Sequence, residues 1–232
     1  KEFLVRHMKS DDVKLGSMIN YMDKLVGKIV DALDKLGLLE NTLIVFSGDN
    51  GTSKKITSKI VGNIEVIGGK NSVFETGLCV PLIAYWKGTT PSGLVSKDLI
   101  DFSDIMPTFA ELAGGKLPEG VTIDGQSFMA QLKGEKGNPR EWIFAQLGEE
   151  CVVREARWKL HNNGNLYDLK NDPFEKNPIL AVKESGEADS SRRRLQEILE
   201  KLKGKREGSK KKVKDSDGKE ADKKEKKREK KK

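Results

Sequence analysis

"LIVFSGDNGTSKK", residues 43–55, runs four apolar residues straight into a Ser-Gly-Asp-Asn-Gly turn. A buried-looking strand thus ends by presenting a carboxylate, Asp49, beside an amide, Asn50. One reading is a plain turn, because Asn and Gly tolerate positive φ and Asp bonds its own backbone. The other is a metal site, since ligands of open α/β sheets bind outside the carboxyl ends of strands. Asp and Asn oxygens are hard ligands, suited to Ca²⁺ or Mg²⁺ rather than to zinc. The stretch alone leaves both readings open. Asn50-Gly51-Thr52 also matches a glycosylation acceptor, a match without meaning if Asn50 faces an ion.

Upstream, Met18, Met22, Leu25, Ile29, Leu33 and Leu36 recur at three and four between Ser17 and Gly37. That spacing predicts an amphipathic helix with one buried face, closed by Gly37 as C-cap. The run "TLIVF" after it has the length and the β-branched content of a fully buried strand. Helix followed by buried strand is half of a crossover unit, so a parallel sheet covered by helices is the expected context.

Downstream lies a mixed polar stretch and then "VIGGKNSVFETGLCVPLIAYW". Val80–Trp86 reads as a second strand, with Pro81 at its start where a missing N–H matters least. "DFSDIMPTFAELAGG" predicts a helix with Ser103 or Asp104 as N-cap and Pro107 in its first turn. From Trp142 the pattern changes. "WIFAQL", "CVVREARWKLH" and "NLYDL" are short strands joined by tight polar turns, which predicts a small antiparallel sheet. "SSRRRLQEILEKL" adds one amphipathic helix able to pack on it.

The 232 residues suffice for one large domain or two small ones, with 36% hydrophobic and 34% charged content. The charge is uneven. Residues 204–232 hold 15 Lys/Arg against 7 Asp/Glu, so this tail's +8 exceeds the whole chain's +7. Only Val213 and Ala221 in that tail could be buried, which predicts a disordered Lys-rich extension. A folded nucleic-acid-binding domain would concentrate basic residues on ordered elements instead, so no specific nucleic-acid partner is expected. The apolar runs are too short to span a bilayer. The opening "KEFLVRHMKSDD" has no apolar signal region and no initiating Met, which reads as a fragment or a processed chain.

Few residues carry obvious chemistry. Lys70 follows two glycines, but Ile64 and Asn71 stand where a phosphate loop needs Gly and Ser or Thr. A nucleotide P-loop is excluded. What remains is a lysine on a glycine-rich backbone that can approach an anion closely, or a solvated lysine in a turn. His7 and His161 are the only histidines; His161 lies among strand residues with no carboxylate or cysteine neighbour at ligand spacing, and His7 sits in a polar lead-in to the first helix. For His161 a surface or packing role is expected. Cys79 and Cys151 fit no metal spacing, and nothing requires a bridge between them.

Taken in order, "YMDKLVGKIVDALDKLGLLENTLIVFSGDNGT", "GGKNSVFETGLCVPLIAYWKGTTPSG", "DFSDIMPTFAELAG", "IDGQSFMAQLKG" and "RWKLHNNGNLYDLKNDPFEKNP" resemble the C-terminal half of type I sulfatases. The resemblance spans residues 15–180. It implies an α/β fold: an incomplete alkaline-phosphatase-like α/β/α sandwich, followed by a small antiparallel sheet with a C-terminal helix. It divides the chain into catalytic-domain residues 1–138, a small α+β subdomain over 139–203, and the tail 204–232. By the same resemblance Asp49 and Asn50 are metal ligands, with Ca²⁺ expected ahead of Mg²⁺, and Lys70 contacts the sulfate group.

The departures from the family pattern are equally specific. Its nucleophile is a formylglycine made in a C-x-P-x-R motif, which these residues lack. Cys79 reads C-V-P-L-I, at a position where the family commonly has Arg, and Cys151 reads C-V-V-R-E. The expectation is a sulfatase portion that is inactive alone and has a missing N-terminal half as partner. Its substrate would be a sulfate ester, including a sulfated glycan. A phosphatase or phosphonate hydrolase of the same superfamily, and a non-catalytic sulfated-glycan-binding module, are the competing readings. Family habit implies a periplasmic or secreted protein.

Overall fold

A computed structural model describes residues 11–60, 62–181 and 186–202. His7 and the basic tail therefore lie outside the described residues. Helix α1, Asp11–Lys35, is followed by Gly37 at φ 69°, the left-handed position expected of its C-cap. Strand β1 is Ile44–Ser47, the hairpin strands β2 and β3 are Thr57–Ile60 and Ile64–Ile67, and a one-turn helix α2 is Glu75–Leu78. Strand β4, Leu82–Tyr85, leads to helix α3, Ile105–Leu112, and a second short helix α4, Met129–Leu132. Strands β5 to β8, Ile143–Leu147, Glu150–Arg154, Trp158–His161 and Leu166–Asp168, form one meander, and helix α5 covers residues 187–202.

Two expectations are corrected. Strands β1 and β4 pair antiparallel, with Ile44 opposite Tyr85 and Ser47 opposite Leu82, so the parallel pairing inferred from helix-then-strand order does not occur between them. The reason lies in the connection, which holds the β2–β3 hairpin and the α2 turn rather than a crossover helix, and returns the chain head-to-tail. The Ser47 hydroxyl fastens that return by donating to Pro81 O at 2.9 Å. The second correction concerns α1. Its apolar stripe is exposed, with Met18 at 57% and Ile29 at 56%, and β1 is half-buried rather than fully buried. No described element covers that stripe.

The four-stranded sheet is as expected, antiparallel in the order β5-β6-β7-β8. Helix α5 packs Leu195 and Leu199 onto Val153, Trp158, Leu160 and Leu166, all nearly free of solvent. A spacing of four puts both leucines on one helix face, and burying each contributes about 1.5–3 kcal/mol. A second cluster joins Phe128, which precedes α4, and Met129 and Leu132 within it to Leu43 and Ala84 beside and within the β1–β4 pair. Helix α3 is positioned by Asp104, only 2% exposed, which accepts from the Asp101 amide at 2.8 Å and from Arg140 Nε at 3.1 Å. Asp104 is the N-cap position of α3, one of the two the sequence suggests, but its side chain makes no capping bond there; the Asp101 carboxylate caps the preceding 3₁₀ turn through Ser103 N.

Candidate active site

Beyond the end of β1 three turns are locked by backbone hydrogen bonds. The Gly51 amide donates to Gly77 O at 2.9 Å, Gly69 N to Thr76 O at 3.2 Å, and Lys70 N to Thr52 O at 2.9 Å. Only glycine permits this approach. A Cβ on Gly51 would sit 1.9 Å from Thr76 O, and one on Gly77 would sit 2.4 Å from Gly69 O. The α2 turn is thus a platform on which the Asp49-Asn50 turn and the Gly69-Lys70 turn both rest.

The side chains on these turns differ in setting. Asp49 and Asn50 line a cavity of about 310 Å³ whose walls also include Cys79, Asp101, Arg154 and Lys159. Lys70 does not line it and is exposed on the adjoining turn. None of the three makes a side-chain hydrogen bond or ion pair among the described residues. Two hard oxygens facing a cavity, with no protein partner, suit part of a Ca²⁺ or Mg²⁺ site. They are too few for a complete one, and no cluster of three or more His, Cys, Asp or Glu able to hold a metal occurs among the described residues. Glu75 borders the same cavity, but its oxygens are taken by Lys159 Nζ at 3.1 Å and Arg154 Nη1 at 3.5 Å.

Below the platform is a charge network that the sequence did not announce. Lys159 on β7, fully buried, bridges Glu75 and Glu175 at 3.1 and 3.0 Å. The Glu75 amide donates to Glu175 Oε2 at 2.5 Å, and His161 Nε2 lies 2.8 Å from Glu175 Oε1. A carboxylate only accepts, so Nε2 carries the proton. Burial by itself pushes the Glu175 carboxyl up, yet the His161 hydrogen bond and the Lys159 charge hold it below its ordinary value. Glu175 takes φ 53°, uncommon for a residue with a Cβ, and this conformation is held by its buried partners. The signal that could have found this network was Lys159 itself, a lysine between Trp158 and Leu160 in a strand buried at every position. His161 is a packing residue, its ring 5.1 Å from Phe74 and 5.2 Å from Tyr167.

Cys79 borders the cavity, but burial and the Glu75 charge push its thiol up, against lowering by Arg154 and Lys159. A protonated thiol is a poor nucleophile. Cys79 and Cys151 form no disulfide.

Comparison with known proteins fits this geometry. A sulfatase family profile matches residues 13–115, and one described as N-sulphoglucosamine sulphohydrolase, C-terminal, matches residues 68–205, more than half of the chain. The chain belongs to the sulfatase family. Human arylsulfatase A is 36% identical over 152 residues, which is 63% of this chain and 30% of that protein. The ulvan-active sulfatase of Formosa agariphila is 28% identical over 217 residues, 75% of this chain and 38% of that sulfatase. The chain thus spans about a third of the length of these sulfatases.

Among solved structures, a Bacteroides thetaiotaomicron protein described for metabolism of multiple glycosaminoglycans superposes with TM-score 0.69 at 27% identity. The match covers 82% of this chain and 45% of that one. A structure described as Ps i-CgsB in complex with a neocarrahexaose superposes with TM-score 0.64 at 26% identity, covering 88% and 46%. The phosphonate monoester hydrolase of Silicibacter pomeroyi, at 23% identity and TM-score 0.58, shares the fold alone. The architecture is therefore part of the sulfatase and alkaline-phosphatase-like fold, followed by its small antiparallel sheet and C-terminal helix.

Proposed function

We propose that this chain carries the cation- and sulfate-binding portion of a sulfatase site and acts on sulfate esters only together with a nucleophile-bearing N-terminal half. The observation that carries this reading is the glycine-locked platform, which joins the Asp49-Asn50 turn to the Lys70 turn through backbone bonds of 2.9–3.2 Å. Asp49 and Asn50 would supply two of the six to eight oxygens that Ca²⁺ prefers. A bound divalent cation supplies charge neutralisation on the non-bridging sulfate oxygens. The Lys70 ammonium adds a second positive charge to the same anion, and such preorganised charge favours the transition state as the S–O bond breaks. Mg²⁺ is less suited to the turn, because it demands a tighter octahedral shell.

The exposed apolar stripe of α1 supports the same reading, since a contiguous apolar surface of this kind marks a partner face. The N-terminal half would cover it and bring the remaining ligands. The residues are assigned as catalytic domain over 1–138, small subdomain over 139–203 and basic extension over 204–232. Glycan-related descriptions of the structural relatives make a sulfated glycan the favoured ester class. The test is hydrolysis of a chromogenic aryl sulfate by the purified chain, with calcium and with chelator. No turnover is expected in either; calcium-dependent turnover would overturn the claim that no nucleophile resides in these residues.

A further inference from the structure

A second cleft, of about 600 Å³, lies between the β2–β3 hairpin and the Phe174–Lys176 turn of the small subdomain. Its floor includes Gly68 and Gly69, the residues directly before Lys70. Two cations border it. Lys54 donates to Asn71 O at 3.3 Å and Lys176 lies over the Phe174 ring at 5.8 Å. Neither is ion-paired among the described residues, in contrast to the buried cations Lys159 and Arg140. Two aromatic rings, Phe74 and Phe174, complete the walls, and Phe74 keeps 37% of its surface exposed although it also contacts the His161 ring. The acid on the rim, Glu65, lies 3.9 Å from Lys59.

Ammonium groups without an ion pair, in a cleft that also holds the exposed Phe74 ring and the half-buried Phe174 ring, recognise a ligand that is flat or ring-shaped and carries negative charge. We propose that this cleft is a subsite for an acidic saccharide ring, in which Lys54 and Lys176 read a second anionic substituent beyond the sulfate presented at Lys70. The inference rests on the sulfate-ester reading and adds substrate selection to it. Esters with a second sulfate or a carboxylate on the sugar would be selected over singly charged ones. The rings of Phe74 and Phe174 supply apolar contact to the sugar face, and the cleft floor leads along the backbone to the Lys70 turn.

The experiment compares binding of a trisulfated and a monosulfated disaccharide to the full chain at about 0.15 M salt, where exposed charges are screened beyond roughly 8 Å. Every variant keeps the basic tail, so its contribution is common to all. The chain should prefer the trisulfated disaccharide by about tenfold, as two exposed ion pairs can supply. The exposed double variant Lys54→Gln/Lys176→Gln should lose all of that preference except the part common to every variant, and Phe174→Ala should weaken both ligands. Lys70→Ala should weaken both ligands without changing their ratio. A wild-type chain without preference, or a double variant that keeps it, would overturn the subsite. If Lys70→Ala changes nothing while the double variant loses its preference, the subsite stands and the sulfate-ester reading falls.

Discussion

The backbone amide of Glu75 donates to Glu175 Oε2 at 2.5 Å across a sequence separation of 100 residues. That bond ties the turn after β8 to the first residue of the α2 turn. The same turn, through Thr76 and Gly77, holds the loops of Asn50 and Lys70. The buried Lys159–Glu175–His161 group is therefore a foundation for the candidate site, placed one layer beneath it.

Lys159→Met should be severely destabilising. Lys159 Nζ stands between two carboxylates and is fully buried, so its removal leaves them facing each other with only Arg154, His161 and the Glu75 amide to offset their charge. Breaking a buried ion pair in this way costs about 3–5 kcal/mol. Urea unfolding would read this as a lowered midpoint, and a midpoint within experimental error of wild type would contradict the assignment.

Gly77→Ala and Gly27→Ala should act in opposite directions. A Cβ on Gly77 would meet Gly69 O at 2.4 Å and Ser72 O at 2.5 Å, both immobile backbone or turn atoms. The α2 turn must shift, at about 1–3 kcal/mol, and the Lys70 turn shifts with it. Gly27 lies within α1 with nothing within 4 Å of its would-be Cβ. Alanine there should stabilise by about 0.5–1 kcal/mol. Paired thermal melts of the two variants check both signs.

Much of the fold was legible because its signals are local. Gly37 marked the end of α1, Pro107 the first turn of α3, and the "NNGN" turn the β7–β8 connection. Gly62 and Asn63, both at positive φ, are the hairpin signal within the polar stretch after Gly51. Strand direction was not legible. Periodicity in "TLIVF" fixes burial and length, while the pairing of Ile44 with Tyr85 depends on how forty intervening residues return. Asp49, Asn50 and Lys70 stood out as residue types, but the network of Glu75, Lys159, His161 and Glu175 joins positions up to 100 apart, and Lys159 in its apolar strand is its one local sign.

Acid should weaken the β5–β8 sheet through Asp168. The Arg157 hydrogen bond holds the Asp168 carboxyl at about 2, aided by Asn171 and opposed by burial. A carboxylate depressed in the folded state contributes stability that is complete above its unfolded pKa of about 3.9 and is lost as pH falls toward 2. Glu175, also depressed, adds to the same acid-side loss. Asp168→Asn should lower stability at neutral pH by about 1.5–3 kcal/mol and flatten the dependence below pH 4. A series of urea midpoints from pH 7 down to pH 2 measures it.

Asp104→Ala should loosen the junction between α3 and the segment before β5. Asp104 accepts from Arg140 through both oxygens and from the Gln126 amide at 2.7 Å, and a Cβ on Gly125 would lie 1.9 Å from Ser103 O. Removing the carboxylate leaves the Arg140 guanidinium, 8% exposed, without its partner. The expected loss is about 3–5 kcal/mol. Faster amide hydrogen exchange over residues 101–108 and 124–128 would locate it there.

The central claim is that the Asp49-Asn50 turn and the Lys70 turn form one cation- and sulfate-binding unit. The most direct measurement is an amide-resolved NMR titration of the chain with calcium chloride, and then with inorganic sulfate. The account predicts that calcium shifts Asp49, Asn50 and Gly51, that sulfate then shifts Gly69 and Lys70, and that Asp49→Ala abolishes the first response. Shifts confined to other residues, or none at these five up to high millimolar calcium and sulfate, would contradict it.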